Sequence, residues 1–294
     1  VVVRDVHRLK KITEESYPEV PYVILGHSMG SFITRNYLCR YGKGVDGAVI
    51  VGTGMQSGGL ILCSKAMAGI QKLFCGSKHI SRFIDKAAFG GYNKRIDAPR
   101  TSSDWLSRNP ENVDRYIADG LCGFTFTVNG FQTLFELIRR LQKQENLEKV
   151  PQNLPILMVS GAEDPVGDYG KGVRKACDSL KKAGVKNITV KLYENDRHEL
   201  LNEEDGEQAM EDIYQWIRRE IPFGSERRCL MSDTAVGTYE IRWAEDKDWI
   251  PAMHMIWKTF LKFEAVDYTE EGIRNFYDFI TDEHLYKSFL QGRY

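Results

Sequence analysis

The protein has 294 residues, of which 42% are hydrophobic and 28% are charged. Forty Lys and Arg residues are balanced by 41 Asp and Glu residues, which leaves a net charge of -1. This balance excludes a strongly basic nucleic-acid-binding protein, and the hydrophobic fraction excludes a chain that is disordered throughout. The length favours about two domains.

The sequence also lacks the marks of a membrane or secreted protein. No stretch reaches the ~18 consecutive apolar residues of a transmembrane helix, and the N-terminus has no signal-peptide core. Its first residues, VVVRD, are typical of a chain that begins inside a domain. The six cysteines include no closely spaced pair, so we expect reduced, mostly buried thiols, a cytoplasmic location and no metal site.

The first half of the chain begins with alternating helices and strands. Apolar residues recur at helical spacing over residues 2–14, and Tyr22 to Leu25 form a short apolar run that is closed by Gly26. A helix is predicted from Met29 to Tyr41, and a second buried strand over residues 47–52.

The same alternation returns later in the chain. Strands are predicted over residues 155–160 and 188–193, with a helix over 172–183 between them. A further helix after Asp205 carries apolar residues on one face: Met210, Ile213, Trp216 and Ile217. This order predicts an α/β fold, in which helices cover both faces of a parallel sheet.

Residues 55–150 interrupt this order between two neighbouring strands. A connection of about 95 residues is far longer than usual, so we interpret it as an inserted helical cap. Helical patterns occupy residues 60–74 and 131–142. The stretch from 55 to 100 is rich in Lys and Arg, which predicts either a solvated basic face or peripheral contact with anionic lipid.

Gly26-His27-Ser28-Met29-Gly30 has the G-x-S-x-G pattern. An apolar strand precedes it and an amphipathic helix follows it, which is the context of a nucleophile elbow. Such a turn strains the serine backbone and presents its hydroxyl, while the two glycines let strand and helix approach. We therefore predict that Ser28 is a nucleophile and that the Met29 backbone amide is an oxyanion-hole donor. A plain turn with a capping serine is the alternative.

A serine nucleophile needs a base, and a histidine base needs a carboxylate. His198 follows the last predicted strand, and Asp164 follows the strand over 155–160, with Glu163 as the alternative acid. The order Ser28, Asp164, His198 is that of the α/β-hydrolases and differs from the trypsin and subtilisin orders.

Three segments resemble the α/β-hydrolase group of monoacylglycerol lipases, lysophospholipases and serine-aminopeptidase-like (S33) hydrolases. They are PYVILGHSMGS at 21–31, SGAEDPVG at 160–167 and DRHE at 196–199, and the resemblance extends over about residues 1–221. It implies a nucleophile, an acid and a base at Ser28, Asp164 and His198, an acyl-binding cap at 55–150, and no cofactor.

The family has further strands and an oxyanion loop before the elbow, whereas this chain begins near the helix that precedes the elbow. We therefore expect residues 1–222 to form an α/β-hydrolase domain that lacks its first strands and its second oxyanion donor. Such a fragment is expected to fold and turn over poorly by itself.

The C-terminal part has a different pattern. Residues 223–237 are predicted to be a linker, and YEIRWAEDKD at 239–248 resembles the opening of a Gcn5-related N-acetyltransferase (GNAT) domain. Helices are expected over 246–263 and 269–280. The resemblance implies that residues 238–294 begin such a domain, with acetyl-CoA as a cofactor only if its binding loop follows downstream. An all-helical interaction appendage is the alternative.

The sequence as a whole predicts a serine hydrolase that cleaves monoacylglycerol- or lysophospholipid-type acyl esters, with a small ester or lipid as its partner. A serine aminopeptidase is the alternative with the same mechanism. An acetyltransferase in the complete protein and a non-catalytic hydrolase-like binding module are alternatives of another class.

Overall fold

A computed structural model of the protein describes residues 1–18, 20–222, 245–263 and 270–282. The strands are β1 (Val23–His27), β2 (Gly47–Val51), β3 (Ile156–Gly161) and β4 (Ile188–Tyr193). The helices are α1 (Val2–Ser16), α2 (Met29–Tyr41), α3 (Gly58–Cys75), α4 (Arg82–Phe89), α5 (Pro110–Ala118), α6 (Val128–Leu141), α7 (Gln144–Leu147), α8 (Lys171–Lys182), α9 (Gly206–Glu220), α10 (Asp246–Phe263) and α11 (Glu270–Ile280).

The four strands form one parallel sheet in the order β1-β2-β3-β4, as the alternating pattern predicts. Val51 pairs with both His27 and Val159, and Gly161 pairs with Tyr193, so the strands end at nearly the same level. The loops that follow β1, β3 and β4 therefore meet at the carboxyl edge of the sheet, where ligands of open α/β sheets bind.

Helix α9 covers one face of the sheet. Its Ala209, Ile213 and Trp216 are buried against Val49 and Leu157 of the central strands. Two of the four apolar residues predicted on this face are thus fully buried, whereas Met210 and Ile217 are only partly covered. Strand β1 lies at the edge of the sheet, and its Leu25 is 47% exposed.

The predicted helical insertion is confirmed. β2 and β3 are neighbours in the sheet, yet helices α3 to α7 lie between them in the chain. Helices α3 and α6 pack side by side, and Lys65 of α3 forms an ion pair with Glu136 of α6. Arg139 and Lys65 lower the pKa of Glu136 to about 2, so this carboxylate stays charged under all ordinary conditions.

Helices α4 and α5 were not predicted, because the helical patterns in the cap cover only residues 60–74 and 131–142. Both have N-cap signals in the sequence: the Ser81 hydroxyl accepts a hydrogen bond from the Ile84 N–H, and the side-chain amide oxygen of Asn109 accepts one from the Glu111 N–H. Pro110 follows directly as the first helical residue, where its missing N–H costs nothing.

Residues 21–222 form one compact unit, and the described parts of 1–20 and 223–294 form a second. Within the second unit, the rings of Phe260 and Phe276 stack at 4.0 Å and join α10 to α11. These two helices match the predicted C-terminal helices. The predicted linker (223–237) and most of the segment that resembles a GNAT opening (239–248) lie outside the described residues. The domain boundaries stay predictions.

Five cysteines lie in the part of the chain that the structure describes, and all five are free. Cys177 is buried, but Cys63 and Cys75 on α3 are exposed, so the prediction of mostly buried thiols is wrong for these two. Helix α3 packs chiefly against α6, and several of its apolar side chains are exposed as well. None of the helices in the described ranges is long and apolar enough to cross a membrane.

Candidate active site

Ser28 is the single residue between the end of β1 and the start of α2. Its backbone has φ 54° and ψ -121°, a region that non-glycine residues rarely adopt. Its N–H donates to the Val51 carbonyl (3.1 Å), and its carbonyl accepts from the Ser31 hydroxyl (2.5 Å). The strained turn is therefore held by β2 and by the first turn of α2, and this is the geometry that the motif predicts.

The two motif glycines are not equivalent. A Cβ atom at Gly26 would lie 2.3 Å from the Thr34 hydroxyl and 2.4 Å from the Gly30 carbonyl, so only glycine fits there. A Cβ atom at Gly30 would meet nothing within 4 Å. The expectation that both glycines are needed for close approach is thus wrong for Gly30.

The loops after β1, β3 and β4 bring three predicted residues together. The His198 Nε2 atom lies 2.8 Å from the Ser28 hydroxyl oxygen, and its Nδ1 atom lies 3.0 Å from a carboxylate oxygen of Asp164. Asp164 also accepts hydrogen bonds from the Val166 N–H (2.8 Å) and the Ser160 hydroxyl (3.2 Å). Glu163, the alternative acid, is exposed and points into a different cavity.

The electrostatics suit a base at His198. Its side chain is buried, which by itself lowers the pKa, but the charge and hydrogen bond of Asp164 outweigh burial and raise the pKa above the ordinary 6.5. A carboxylate on Nδ1 favours the tautomer with hydrogen on that atom, and Nε2 is then free to accept the Ser28 proton.

Met29 is the first residue of α2, and it lines the same cavity as Ser28. The first N–H groups of a helix have no acceptor within the helix and carry its positive dipole end. This is the arrangement expected of an oxyanion donor.

His27 has a role that sequence reasoning missed. Its Nε2 atom lies 3.0 Å from the His198 carbonyl oxygen, and the two rings are 4.7 Å apart. Burial and the neighbouring His198 lower the pKa of His27, so it stays neutral and donates this hydrogen bond. It therefore supports the backbone of His198, although its position before Ser28 gave no signal for this contact.

A cap segment over residues 104–108 closes the other side of His198. The carboxylate of buried Glu203 accepts hydrogen bonds from the Ser107 hydroxyl and from the N–H groups of Arg108 and Arg197. The Arg197 guanidinium donates back to the carbonyl oxygen of Ser107 at 3.0 Å. The turn that carries His198 is thus tied to the cap.

Ser28 and Met29 open into a cavity of about 460 Å³, here called the acyl cavity. Its walls are mainly apolar side chains of α2 and the cap, and Asp85 and Lys86 are its charged members. The apolar part includes Phe32, Phe89, Leu106, Phe124, Phe126, Leu134 and Ile138. Such a lining suits a hydrocarbon chain.

Among the described residues, no three His, Cys, Asp or Glu side chains are grouped so as to hold a metal ion. The geometry of Ser28, His198 and Asp164 fits nucleophilic catalysis by protein groups.

Comparison with known proteins identifies similar chains. Residues 1–205 match the family model described as serine aminopeptidase, S33. A monoglyceride lipase of Rattus norvegicus is 28% identical over 234 residues, which cover 78% of this chain and 69% of the relative. A monoacylglycerol lipase of Mycolicibacterium smegmatis is 26% identical over 216 residues, covering 73% and 68%.

Solved structures agree with this. A thermostable carboxyl esterase from Bacillus coagulans, in complex with glycerol, superimposes with a TM-score of 0.70 at 29% identity, covering 75% of this chain and 71% of the esterase. A monoglyceride lipase from Saccharomyces cerevisiae superimposes with a TM-score of 0.57 at 18% identity, covering 75% and 69%. The latter likeness bears on the fold, which is that of an α/β-hydrolase.

Proposed function

The chain belongs to the serine aminopeptidase S33 family, and from this premise we propose that it is a serine hydrolase that cleaves acyl esters. The observation that carries the proposal is the continuous hydrogen-bonded series from Ser28 through His198 to Asp164. It joins a strained serine, a buried histidine and a buried carboxylate at the carboxyl edge of the sheet.

The mechanism follows from this geometry. The Ser28 oxygen attacks the ester carbonyl carbon while its proton passes to Nε2 of His198, and Asp164 stabilises the imidazolium that forms. The Met29 N–H donates to the oxyanion of the tetrahedral intermediate. His198 then gives the proton to the leaving alcohol, and an acyl group remains on Ser28. Water, deprotonated by His198, releases the acid and restores the serine.

The substrate class is an ester of a fatty acid with a small alcohol, of the monoacylglycerol or lysophospholipid type. The apolar lining of the acyl cavity supports the fatty acyl part, and the relatives named as monoglyceride lipases support the glyceride part. No cofactor takes part in this mechanism.

A panel of substrates tests this proposal. The protein, its Ser28→Ala variant and a matched Ser179→Ala control are compared on 1-octanoylglycerol, p-nitrophenyl butyrate and alanine p-nitroanilide. Ser179 lies on α8, where its hydroxyl binds only the local Lys175 carbonyl. Hydrolysis of both esters that is lost only in Ser28→Ala supports the proposal. An active Ser28→Ala variant, or no ester hydrolysis by a folded protein, overturns it.

A serine aminopeptidase is the second candidate. Its favouring observation is Asp85, whose carboxylate lines the acyl cavity and could hold the α-amine of a peptide. Burial raises the pKa of Asp85 above its ordinary value, and a bound amine would act in the opposite direction. Release of p-nitroaniline from alanine p-nitroanilide would favour this candidate over the ester hydrolase.

Contact of the cap with a lipid surface is a further part of the proposal. Helix α3 leaves Leu62, Leu73 and Phe74 largely exposed beside basic residues such as Lys72. Lys65, however, is already paired with Glu136, so the basic face is weaker than its lysine count suggests. Co-sedimentation with phosphatidylglycerol vesicles tests the contact, and a Phe74→Ser variant that still sediments equally would refute it.

We also retain the proposal of a hydrolase domain over residues 1–222, a linker over 223–237 and a GNAT-like beginning over 238–294. The order of α10 and α11 supports the last part, and an experimental structure that shows or lacks a strand directly before α10 tests it. A non-catalytic binding module is the remaining alternative. A folded protein whose Ser28 reacts with no acylating reagent would support it.

A further inference from the structure

A second cavity adjoins the acyl cavity and has a different chemical character. It has a volume of about 280 Å³ and is here called the arginine cavity, because Arg95, Arg108 and Arg197 all line it. Tyr92 and Trp105 line both cavities, and their rings meet edge to face at 4.8 Å. The two spaces therefore lie on either side of a shared aromatic wall.

The charges of the arginine cavity are unequal. Arg108 is paired with the buried carboxylate of Asp196 at 3.2 Å, so its charge is largely compensated. Arg197 donates to two backbone carbonyl oxygens, of Asp104 and Ser107, which are neutral acceptors. The exposed Arg95 lies over a neutral aromatic ring.

Glu163 is the carboxylate that lines this cavity. The guanidinium groups of Arg95 and Arg197 thus outnumber the single carboxylate in the lining. The net charge of the cavity is positive, which favours the binding of an anion.

The ring beneath Arg95 belongs to Tyr169. The backbone of Tyr169 is strained. Tyr169 has φ 55° and follows Asp168 at φ 47°, both in the left-handed region. The Tyr169 N–H donates to the backbone carbonyl of Asp164 at 2.9 Å, which ties the strained turn to the loop of the proposed acid. Arg95 then stacks at 3.5 Å from the ring centre, as in a cation–π contact. The guanidinium is therefore held at the cavity by a built support.

The position of the arginine cavity relative to His198 indicates which part of a substrate reaches it. In the proposed mechanism, His198 protonates the leaving alcohol, so the alcohol part of the ester lies next to its imidazole. The Trp105 ring is 5.1 Å from that imidazole and forms part of the arginine cavity. In this arrangement we expect the acyl chain to fill the apolar cavity that Ser28 lines, and the alcohol to extend toward Arg95 and Arg197.

We propose that the arginine cavity binds a phosphate group on the alcohol part of the substrate. The preferred substrates are then acyl esters of a glycerol phosphate and not neutral monoacylglycerols. This inference rests on the proposed function, which it narrows to one substrate class. Arginine suits this task because its planar fork donates two hydrogen bonds to phosphate oxygens.

Steady-state kinetics on a matched substrate series tests the proposal. Three octanoyl esters share one short acyl chain and differ only in the alcohol. The alcohols are glycerol, glycerol 3-phosphate and glycerophosphoglycerol, the alcohol part of phosphatidylglycerol. We expect kcat/KM to be about tenfold higher for the phosphate esters, and the advantage to shrink as salt screens the charge. The comparison of the glycerol 3-phosphate ester with the glycerophosphoglycerol ester shows whether the cavity prefers a phosphate monoester or a phosphate diester.

Arg95→Ala is the test variant, because Arg95 is exposed and its removal leaves the hydrogen bonds of Arg108 and Arg197 intact. Lys94→Ala removes a neighbouring exposed charge that lies outside the cavity lining and serves as the control. We expect Arg95→Ala to lose about tenfold in kcat/KM on phosphate esters, mainly through KM, and a clearly smaller factor on the glycerol ester. Arg95→Lys should restore part of the loss.

The result that overturns the proposal is equal kcat/KM on charged and neutral esters, or an equal loss on both in Arg95→Ala. Binding of glycerol 3-phosphate, measured by calorimetry, separates this inference from the proposed function. If no ester is cleaved but glycerol 3-phosphate binds to the protein and not to Arg95→Ala, the anion site stands and the hydrolase proposal fails. If esters are cleaved and glycerol 3-phosphate does not bind, the anion site fails alone.

Discussion

The indole ring of Trp105 lies 5.1 Å from the imidazole of His198, so a residue of the inserted cap closes one side of the proposed base. The two residues are far apart in the sequence and belong to separate elements. Their contact makes the cap part of the active site and not only a cover for it. It also separates the acyl cavity from the arginine cavity, since Trp105 lines both.

Trp105→Ala should therefore disturb the positioning of the alcohol part more than the fold. We expect kcat/KM for esters to fall by roughly 10- to 100-fold, because a misplaced leaving group lowers the rate of proton transfer from His198. Trp105→Phe should retain most of the activity, since it keeps an aromatic wall. Equal activity of Trp105→Ala and the unaltered protein would show that this wall is dispensable.

Glu203 should matter for stability because it joins the His198 turn to the cap. Its side chain is only 6% exposed and accepts three hydrogen bonds. Glu203→Ala leaves buried donors unpaired, and we expect the free energy of unfolding to fall by about 3 kcal/mol. Glu204 is an exposed neighbour, so Glu204→Ala should change it by less than about 0.5 kcal/mol. Urea unfolding of both variants measures this, and similar losses would contradict it.

The elbow offers a matched pair of glycine substitutions. Gly26→Ala places a methyl group 2.4 Å from the Gly30 carbonyl oxygen, and we expect about 1–3 kcal/mol of destabilisation. Gly30→Ala adds a methyl group in open space at the start of α2, where alanine also has the better helix propensity. Thermal unfolding should rank Gly30→Ala at or above the unaltered protein and Gly26→Ala below it. A reversed ranking would refute the expected clash at Gly26.

The pH dependence of ester hydrolysis should follow His198. This group must be neutral to accept the Ser28 proton, and Asp164 raises its pKa above 6.5. We therefore expect kcat/KM to decline as the pH falls through a value above 6.5. Asp164→Asn removes the charge that raises the pKa, so the decline should move to lower pH while the rate drops roughly 10⁴-fold. An unchanged profile in Asp164→Asn would argue that another group is titrating.

Much of this arrangement could be predicted from the sequence. The apolar runs before Ser28, Asp164 and His198 predict buried parallel strands, and the carboxyl ends of parallel strands meet at one edge. Local pattern and topology together were therefore enough to expect that these three residues are neighbours. The α2 and α9 helices followed from periodicity alone.

The remaining features depend on contacts between distant segments, which no local pattern records. Examples are the Glu203 bonds to Ser107 and Arg108, and the support of His198 by His27. The arginine cavity has the same origin, because Arg95, Arg108 and Arg197 come from two separate stretches of the chain. Asp85 likewise reaches the acyl cavity only through the fold of the cap.

Labelling with a fluorophosphonate probe measures whether Ser28 is an activated nucleophile, because the reagent forms a covalent bond only with such a serine. The protein, Ser28→Ala and Ser179→Ala are incubated with the probe, and the modified peptide is located by mass spectrometry. We predict one adduct on Ser28 in the protein and in Ser179→Ala, and none in Ser28→Ala. A folded protein that carries no adduct on Ser28, or an adduct that persists in Ser28→Ala, would contradict the role of Ser28 as the nucleophile.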